Sequence, residues 1–264
     1  MPNPFPILRA KDYAAPSVFL PENLMREARR QKRLPLAPVP EICVLDPDGD
    51  LVRVLRAEGR THPCPAWACY HTAMDETEHR GERLGIVGCA VGAPFAVLVA
   101  EQLFASGCRL LVSVTSAGQL IEAGPTPYFV LIDRALRDEG TSYHYLPPAR
   151  FAEADPALIA CVSAAFAPAP LTVHLGASWT TDAPFRETEA AIAAAREAGA
   201  VTVEMEAAAL YAFARAQGRD VLCFAHVTNQ MAQVHGDFEK GEADGATASL
   251  AVIAAAVGAW RSLR

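Results

Sequence analysis

The chain contains no run of basic residues. Its 23 Lys and Arg are outnumbered by 30 Asp and Glu, for a formal net charge of −7. A surface of that sign repels phosphate backbones and anionic headgroups, so neither nucleic acid nor a membrane is an expected partner. Uninterrupted apolar runs all fall well short of the roughly 18 residues of a membrane span. The opening, MPNPFPILRAKDYAAP, has three early prolines and lacks the apolar stretch of a signal peptide. Seven cysteines are scattered along the chain, which predicts reduced thiols and a cytoplasmic protein. Charged residues are only 20% of the 264 positions and apolar ones 52%, which excludes a disordered chain and is ample for a large core.

Prolines at 2, 4, 6, 16, 21, 35, 38 and 40 keep residues 1–42 irregular, apart from a short helix over Glu22–Lys32. This arm is expected to lie on the body of the protein or on a neighbouring subunit. From there to residue 264 the pattern alternates between short β-branched runs and helical segments. Strands are predicted at 41–46, Leu84–Gly88, 109–115, Tyr128–Asp133, Leu171–Ala177, Val201–Val203 and Asp220–Thr228. Helices are predicted at Pro94–Ser106, Glu187–Glu197 and Glu206–Gln217, with a last one capped by Asp244 and running to about Trp260. The reading is a proline-rich arm over 1–42 and one α/β domain over 43–264. Its central sheet is mixed, mainly parallel and flanked by helices. Sites in such folds gather where strands end, which singles out Thr115–Gly118, Glu204–Glu206 and Thr228–Gln230.

Three groups of residues carry candidate chemistry. Glu204 and Glu206 flank Met205 where a strand meets a helix, and alternate residues of an extended segment share a face. A carboxylate there can accept both hydrogens of a vicinal diol. The plainer alternative is a glutamate pair favoured by the helix dipole. Thr115 and Ser116 end a strand, where hydroxyls and free N–H groups hold phosphate or sugar oxygens, or simply make a turn. His62, Cys64, Cys69 and His71 are legitimate zinc ligands by type. Their spacing is not that of a usual zinc site, and no metal is expected. His144 reads as structural or substrate-lining.

The segment VTVEMEAAALYAFARAQG, 201–218, resembles the signature of the nucleoside phosphorylase family that includes uridine phosphorylase, bacterial purine nucleoside phosphorylase and the methylthioadenosine nucleosidases. Segments 88–120, 138–148 and 176–187 are similar to that family's glycine turn with its Thr/Ser stretch, a uridine phosphorylase-like stretch and the base-side loop. The resemblance implies cleavage of the N-glycosidic bond of a nucleoside by phosphate, giving free base and ribose 1-phosphate, without metal or organic cofactor. It implies that Glu206 binds the ribose hydroxyls, Met205 packs on the sugar and Thr115 lies at the phosphate–ribose position. Phe185 would stack on the base, and Arg186 would donate to it. Asn229 stands where the purine branch has an acidic group, which favours a pyrimidine stabilised as an anion by Arg186, Asn229 and Gln230. Family members also complete their sites across a dimer interface, so a homo-oligomer, dimer or hexamer, is expected.

The family's phosphate arginines have no counterpart in this sequence. The early turn reads VLDPDGDLVRVL, with Asp46, Asp48 and Asp50 where an anion needs positive charge, and Val112 replaces another cation. Arg53, Arg80, Arg83 and Arg150 are the candidate substitutes. Two alternatives therefore stand beside phosphorolysis: a hydrolytic nucleosidase and a non-catalytic nucleoside- or base-binding protein.

Overall fold

The β-branched runs become strands of one mixed sheet in the computed structural model, which describes residues 5–167, 171–231 and 236–264. In chain order the elements are α1 (Pro21–Lys32), β1 (Ile42–Asp46), α2 (Asp50–Ala57), β2 (His62–Pro63), β3 (Asp75–His79), β4 (Glu82–Gly88), α3 (Ala93–Ala105), β5 (Leu110–Gln119), β6 (Tyr128–Asp138), β7 (Phe151–Glu153), α4 (Pro156–Phe166), β8 (Val173–Thr181), α5 (Glu189–Glu197), β9 (Ala200–Glu204), α6 (Ala207–Gln217), β10 (Asp220–Asn229) and α7 (Ala246–Leu263).

Strands β4, β1, β5 and β10 run parallel side by side. The antiparallel pair β2–β3 extends the margin beyond β4. On the other side β10 pairs antiparallel with β6, β6 and β8 run parallel, β8 and β9 run parallel, and β9 meets β5 antiparallel. That half of the sheet therefore closes on itself through β5, β10, β6, β8 and β9. Ile42–Leu45, Leu110–Val112 and Leu222–Ala225 are fully buried or nearly so, as strands covered on both faces must be. Helix α6 is buried from Ala207 through Ala214, which accounts for its lack of a polar face.

Several boundaries differ from expectation. The strand expected to stop at Thr115 runs on to Gln119, so Thr115, Ser116, Ala117 and Gly118 belong to β5 and not to a turn after it. Its far half is held by β10 (Ser116 opposite His226) and β9 (Gly118 opposite Val203). Helices α2 and α4 and strands β2, β3 and β7 were not anticipated. For α4 the signal was present: Pro156 opens the helix, and the Asp155 side chain accepts the Leu158 N–H at 2.9 Å.

Asp244 does not cap the last helix. It has φ +52 within a short 3-10 turn, and Gly245, with φ +81, takes the cap position without a side-chain bond. The segment Glu242–Leu263 also corrects the reading of apolar runs, being long and apolar enough, by length and composition, to cross a membrane. Thr247, Ser249 and Gly258 interrupt it as a run without lowering its mean hydropathy below that level. In the fold it is a core helix: Leu250, Val252, Ile253, Ala256, Val257 and Trp260 are buried, and α7 packs on α4 and α2. In the arm, α1 packs on α3 with Met25 and Ala28 fully buried.

Candidate active site

The three strand ends singled out in the sequence meet at one place. Gly118 of β5 lies opposite both Val203 of β9 and Asn229 of β10. The Glu-Met-Glu turn between β9 and α6 sits beside them, but its two carboxylates do different work. Glu204 Oε2 accepts the N–H groups of Glu206 and Ala207, each at 2.7 Å. Its Oε1 accepts the Ser178 hydroxyl at 3.1 Å and the Thr180 hydroxyl at 2.5 Å. Four internal donors make Glu204 the anchor that satisfies the free N–H groups at the start of α6. The expectation that both glutamates offer free oxygens to one cleft is thus corrected.

Glu206 is the one with acceptor capacity to spare. It is 1% exposed, and its Oε1 accepts the Gly92 N–H at 2.6 Å, while Oε2 has no partner. Gly92 has φ +90, a conformation that glycine adopts without steric cost at the turn leading into α3. Burial, reinforced by the Glu204 charge, pushes the Glu206 carboxyl up to about 8, against the opposing pull of the Gly92 N–H. Met205, half-buried, lies between the two glutamates in the chain.

A second cluster adjoins Thr115. The β1–β5 ladder ends with Leu45 opposite Ser113, and β5 continues alone along that edge. The edge is filled by a carboxylate: Asp48 Oδ2 accepts the Ser116 N–H at 2.7 Å. Asp46 closes the same turn by accepting the Val52 N–H at 2.9 Å, and burial raises its carboxyl to about 7. Asp50 pairs with Arg53 at 2.7 Å and with Lys240.

Asp48, Asp50, Thr115, Ser116 and His226 line a recess of about 20 Å³, with Asp244 at its side. His226 is 5% exposed and stacks on Phe129 with 4.4 Å between ring centroids, and its Nε2 has no partner. Burial, with Lys240 nearby, pulls its pKa down to about 4. Sequence reasoning missed His226. The available signal was an imidazole within the otherwise apolar run VLCFAHV of β10.

The remaining candidates fall outside these clusters or are engaged elsewhere. Asn229 is buried; its Nδ2 donates to Thr228 Oγ1 at 3.2 Å and its Oδ1 accepts the Met231 N–H at 3.0 Å. Gln230 is exposed, with its backbone N–H held by Asp237. Phe185 is 99% exposed and Arg186 is exposed beside it, in the loop after β8, with no side-chain hydrogen bond or ring contact among the described residues. The chain as folded therefore does not bring them against Glu206.

Of the candidate arginines, Arg53 lies at the acidic turn, whereas Arg83 pairs with Glu76 and Arg150 lies over the Phe151 ring. Val112 is fully buried in β5, within the core. His144 is exposed and shares a 2.6 Å hydrogen bond with Lys11 of the arm. Cys64 and Cys69 are buried while His62 and His71 are exposed. Among the described residues no group of three or more His, Cys, Asp or Glu side chains is placed to hold a metal ion. All seven cysteines are free thiols.

Uridine phosphorylase from Vibrio fischeri ES114, in complex with 6-hydroxy-1-naphthoic acid, superposes with a TM-score of 0.67 at 20% identity, over 86% of this chain and 91% of that one. Another structure of the Vibrio fischeri enzyme gives 0.65 at 21% identity, over 84% and 90%. At this identity the likeness is one of fold. No curated protein sequence matches the chain significantly. A family model does match, over residues 41–258, from β1 to most of α7 and through every residue of both clusters: the chain belongs to the phosphorylase superfamily.

Proposed function

We propose that the protein cleaves the N-glycosidic bond of a nucleoside, with a pyrimidine as the base. The observation that carries this reading is Glu206: a buried carboxylate with one oxygen tied to Gly92 and the other unpartnered. A ribose diol supplies the missing donors, and Met205 is the adjacent apolar surface for the sugar. Thr115 on β5 is the hydroxyl proposed for the sugar's side of the acceptor. The bond breaks with its electron pair leaving on the base, and the oxocarbenium-like sugar is captured at C1 by the acceptor. The protein's part is positioning and electrostatics and needs no covalent nucleophile. Asn229, which ends β10, and Gln230 just after it are the donors proposed toward the departing base, with Arg186 and Phe185, exposed in the loop after β8, as its further donor and stacking partner once substrate is bound.

The acceptor favoured by the geometry is water. Asp48 already holds the Ser116 N–H that a phosphate would need, and three aspartates crowd the turn. Phosphorolysis is the second reading, favoured by the two cations, Arg53 and Lys240, that converge on Asp50. Their release toward an anion would supply charge-assisted hydrogen bonds of about 1.5–3 kcal/mol each.

The deciding experiment incubates a nucleoside panel with and without phosphate and measures free base and sugar product. Free ribose independent of phosphate supports hydrolysis, whereas ribose 1-phosphate with saturable dependence supports phosphorolysis. Tight binding without any product would make this a binding protein. We also propose a homo-oligomer, since the arm presents Val18 (100% exposed) and Phe19 (71%) to solvent. A dilution-stable, active monomer in light scattering would refute it.

A further inference from the structure

Two strands share one edge of β5 and leave a gap between them. The other edge is taken by β10, from Leu110 to Gly118. On the shared edge the β1 ladder ends with Leu45 opposite Ser113, and β9 begins with Val203 opposite Gly118. The Leu110 N–H donates toward β1, to the Glu41 carbonyl at 3.1 Å, and every second N–H of a strand keeps that direction, so the Ser116 N–H points into the gap. A backbone donor left bare at a strand edge attracts an anion. The chain supplies that anion itself: Asp48 Oδ2 accepts the Ser116 N–H at 2.7 Å, across 68 residues of sequence. The turn that carries Asp48 is closed without its side chain. Asp46 does that work, its carboxylate taking the Val52 N–H and its carbonyl the Gly49 N–H, each at 2.9 Å. Asp48 and Ser116 are both partly exposed, so their bond is open to exchange with a solute. Two cations stand in the same place: Arg53 pairs with Asp50 at 2.7 Å and reaches the Asp48 carbonyl at 3.4 Å, and Lys240 pairs with Asp50. The Asp48 charge also adds to burial and Glu204 in raising Glu206, which puts it within electrostatic reach of the proposed sugar anchor.

We propose that Asp48 is the specificity-determining residue of the acceptor side: its carboxylate is a resident anion that holds the seat of a free tetrahedral oxyanion and admits a neutral acceptor. This rests on the nucleoside-cleaving reading above and deepens it by naming the residue that selects the acceptor class. An incoming oxyanion needs the Ser116 N–H, which is taken, and meets the Asp48 charge at contact distance. With the Asp48 side chain cut back, the seat has the Ser116 N–H as its donor and Arg53 and Lys240 beside it at Asp50. One side chain thus separates a closed anion seat from an open one.

The test measures binding of inorganic phosphate to the full chain by calorimetry, against chloride of equal ionic strength, in wild type, Asp48→Ala and Asp48→Asn. Alanine empties the seat, whereas asparagine keeps an acceptor on the Ser116 N–H and removes the charge. A charge-assisted hydrogen bond gained at that N–H is worth about 10- to 100-fold in affinity. Expected is phosphate binding at least about tenfold tighter in Asp48→Ala than in wild type, with Asp48→Asn between them. With the best nucleoside and phosphate present, ribose 1-phosphate should join the products of Asp48→Ala while wild type gives ribose. Affinities within threefold of each other in folded wild type and Asp48→Ala overturn the proposal and leave the function reading intact. Saturable phosphate use by wild type, with ribose 1-phosphate as product, also overturns it and leaves nucleoside cleavage intact. No nucleoside cleaved by wild type, with the gain in phosphate binding present, removes the function reading and supports the occupied seat. If Asp48→Ala does not fold, the Ser116 amide resonance of wild type decides: no movement with phosphate beyond the chloride control supports the resident anion, and a saturable phosphate-specific shift overturns it.

Discussion

Replacing Glu206 by Gln should stabilise the protein at neutral and alkaline pH while removing most of its activity. An isolated glutamate titrates near 4.5, and burial beside Glu204 raises Glu206 to about 8 in the fold. Below pH 4.5 the group is protonated in both states and contributes no pH dependence. Between the two values the unfolded chain ionises first, so stability falls as pH rises; above about 8 the loss is complete. At pH 7 the drain spans about 2.5 units, which is roughly 3 kcal/mol at 1.36 kcal/mol per unit. For a domain of this size each kcal/mol moves Tm by about 2–4 °C.

Glutamine carries no such penalty, and its amide oxygen can still accept the Gly92 N–H. Thermal unfolding from pH 5 to pH 9 should therefore show the variant level with wild type at the acid end and several degrees above it at pH 8. The same carboxylate must be ionised to accept two ribose hydrogens, so wild-type kcat/KM should rise with pH toward about 8, the apparent value belonging to the Glu204–Glu206 pair. A Tm difference that does not change with pH, or a variant cleaving at near wild-type rate, would refute the reasoning.

Other perturbations separate the architecture from the chemistry. Glu204→Ala strands two backbone N–H groups and two hydroxyls in the interior and should cost about 3–5 kcal/mol, read by urea unfolding. His226, neutral in the fold with its pKa lowered to about 4, should make wild type lose stability as pH falls from about 6.5 toward 4, by up to roughly 3 kcal/mol. His226→Phe should lack that acid-side loss, and an unchanged profile counts against a neutral buried imidazole. Gly245→Ala meets both φ +81 and the His226 ring, so a drop in Tm with lowered activity is expected. Phe185→Ala, at a fully exposed site, should leave unfolding unchanged within about 0.5 kcal/mol and raise KM for the nucleoside. An unchanged KM would remove Phe185 from the base site.

The elements legible in the sequence are those whose signal is local. Strands β1, β5, β6 and β10 appear as β-branched runs, and α6 ends at Gly218 with φ +60, as its glycine suggested. The far end of β5 was not legible, because its pairing there comes from β9 and β10, about 85 and 110 residues away in the chain. Glu204 and Glu206 look equivalent as letters. Their separation depends on Ser178, Thr180 and Gly92, contributed by two other elements. Phe185 and Arg186 were read from motif context, and that context carries no information on whether the loop faces the cleft or solvent.

The proposed choice of acceptor follows from where one strand stops. In a parallel sheet, a central strand that outruns its neighbour presents unpaired N–H groups along the vacated edge, a natural receptor for an anion. Here β1 ends at Asp46 while β5 runs on to Gln119, and the chain places its own carboxylate, Asp48, on the Ser116 N–H. An external dianion must therefore displace an internal charge and approach two more aspartates. A neutral water meets neither obstacle. The proposed sugar grip, by contrast, rests on Glu206 tied to Gly92 and is indifferent to the acceptor's charge. The sequence keeps the Glu-Met-Glu turn of the family resemblance, whereas the β1–α2 turn carries Asp46, Asp48 and Asp50 where that resemblance implies positive charge.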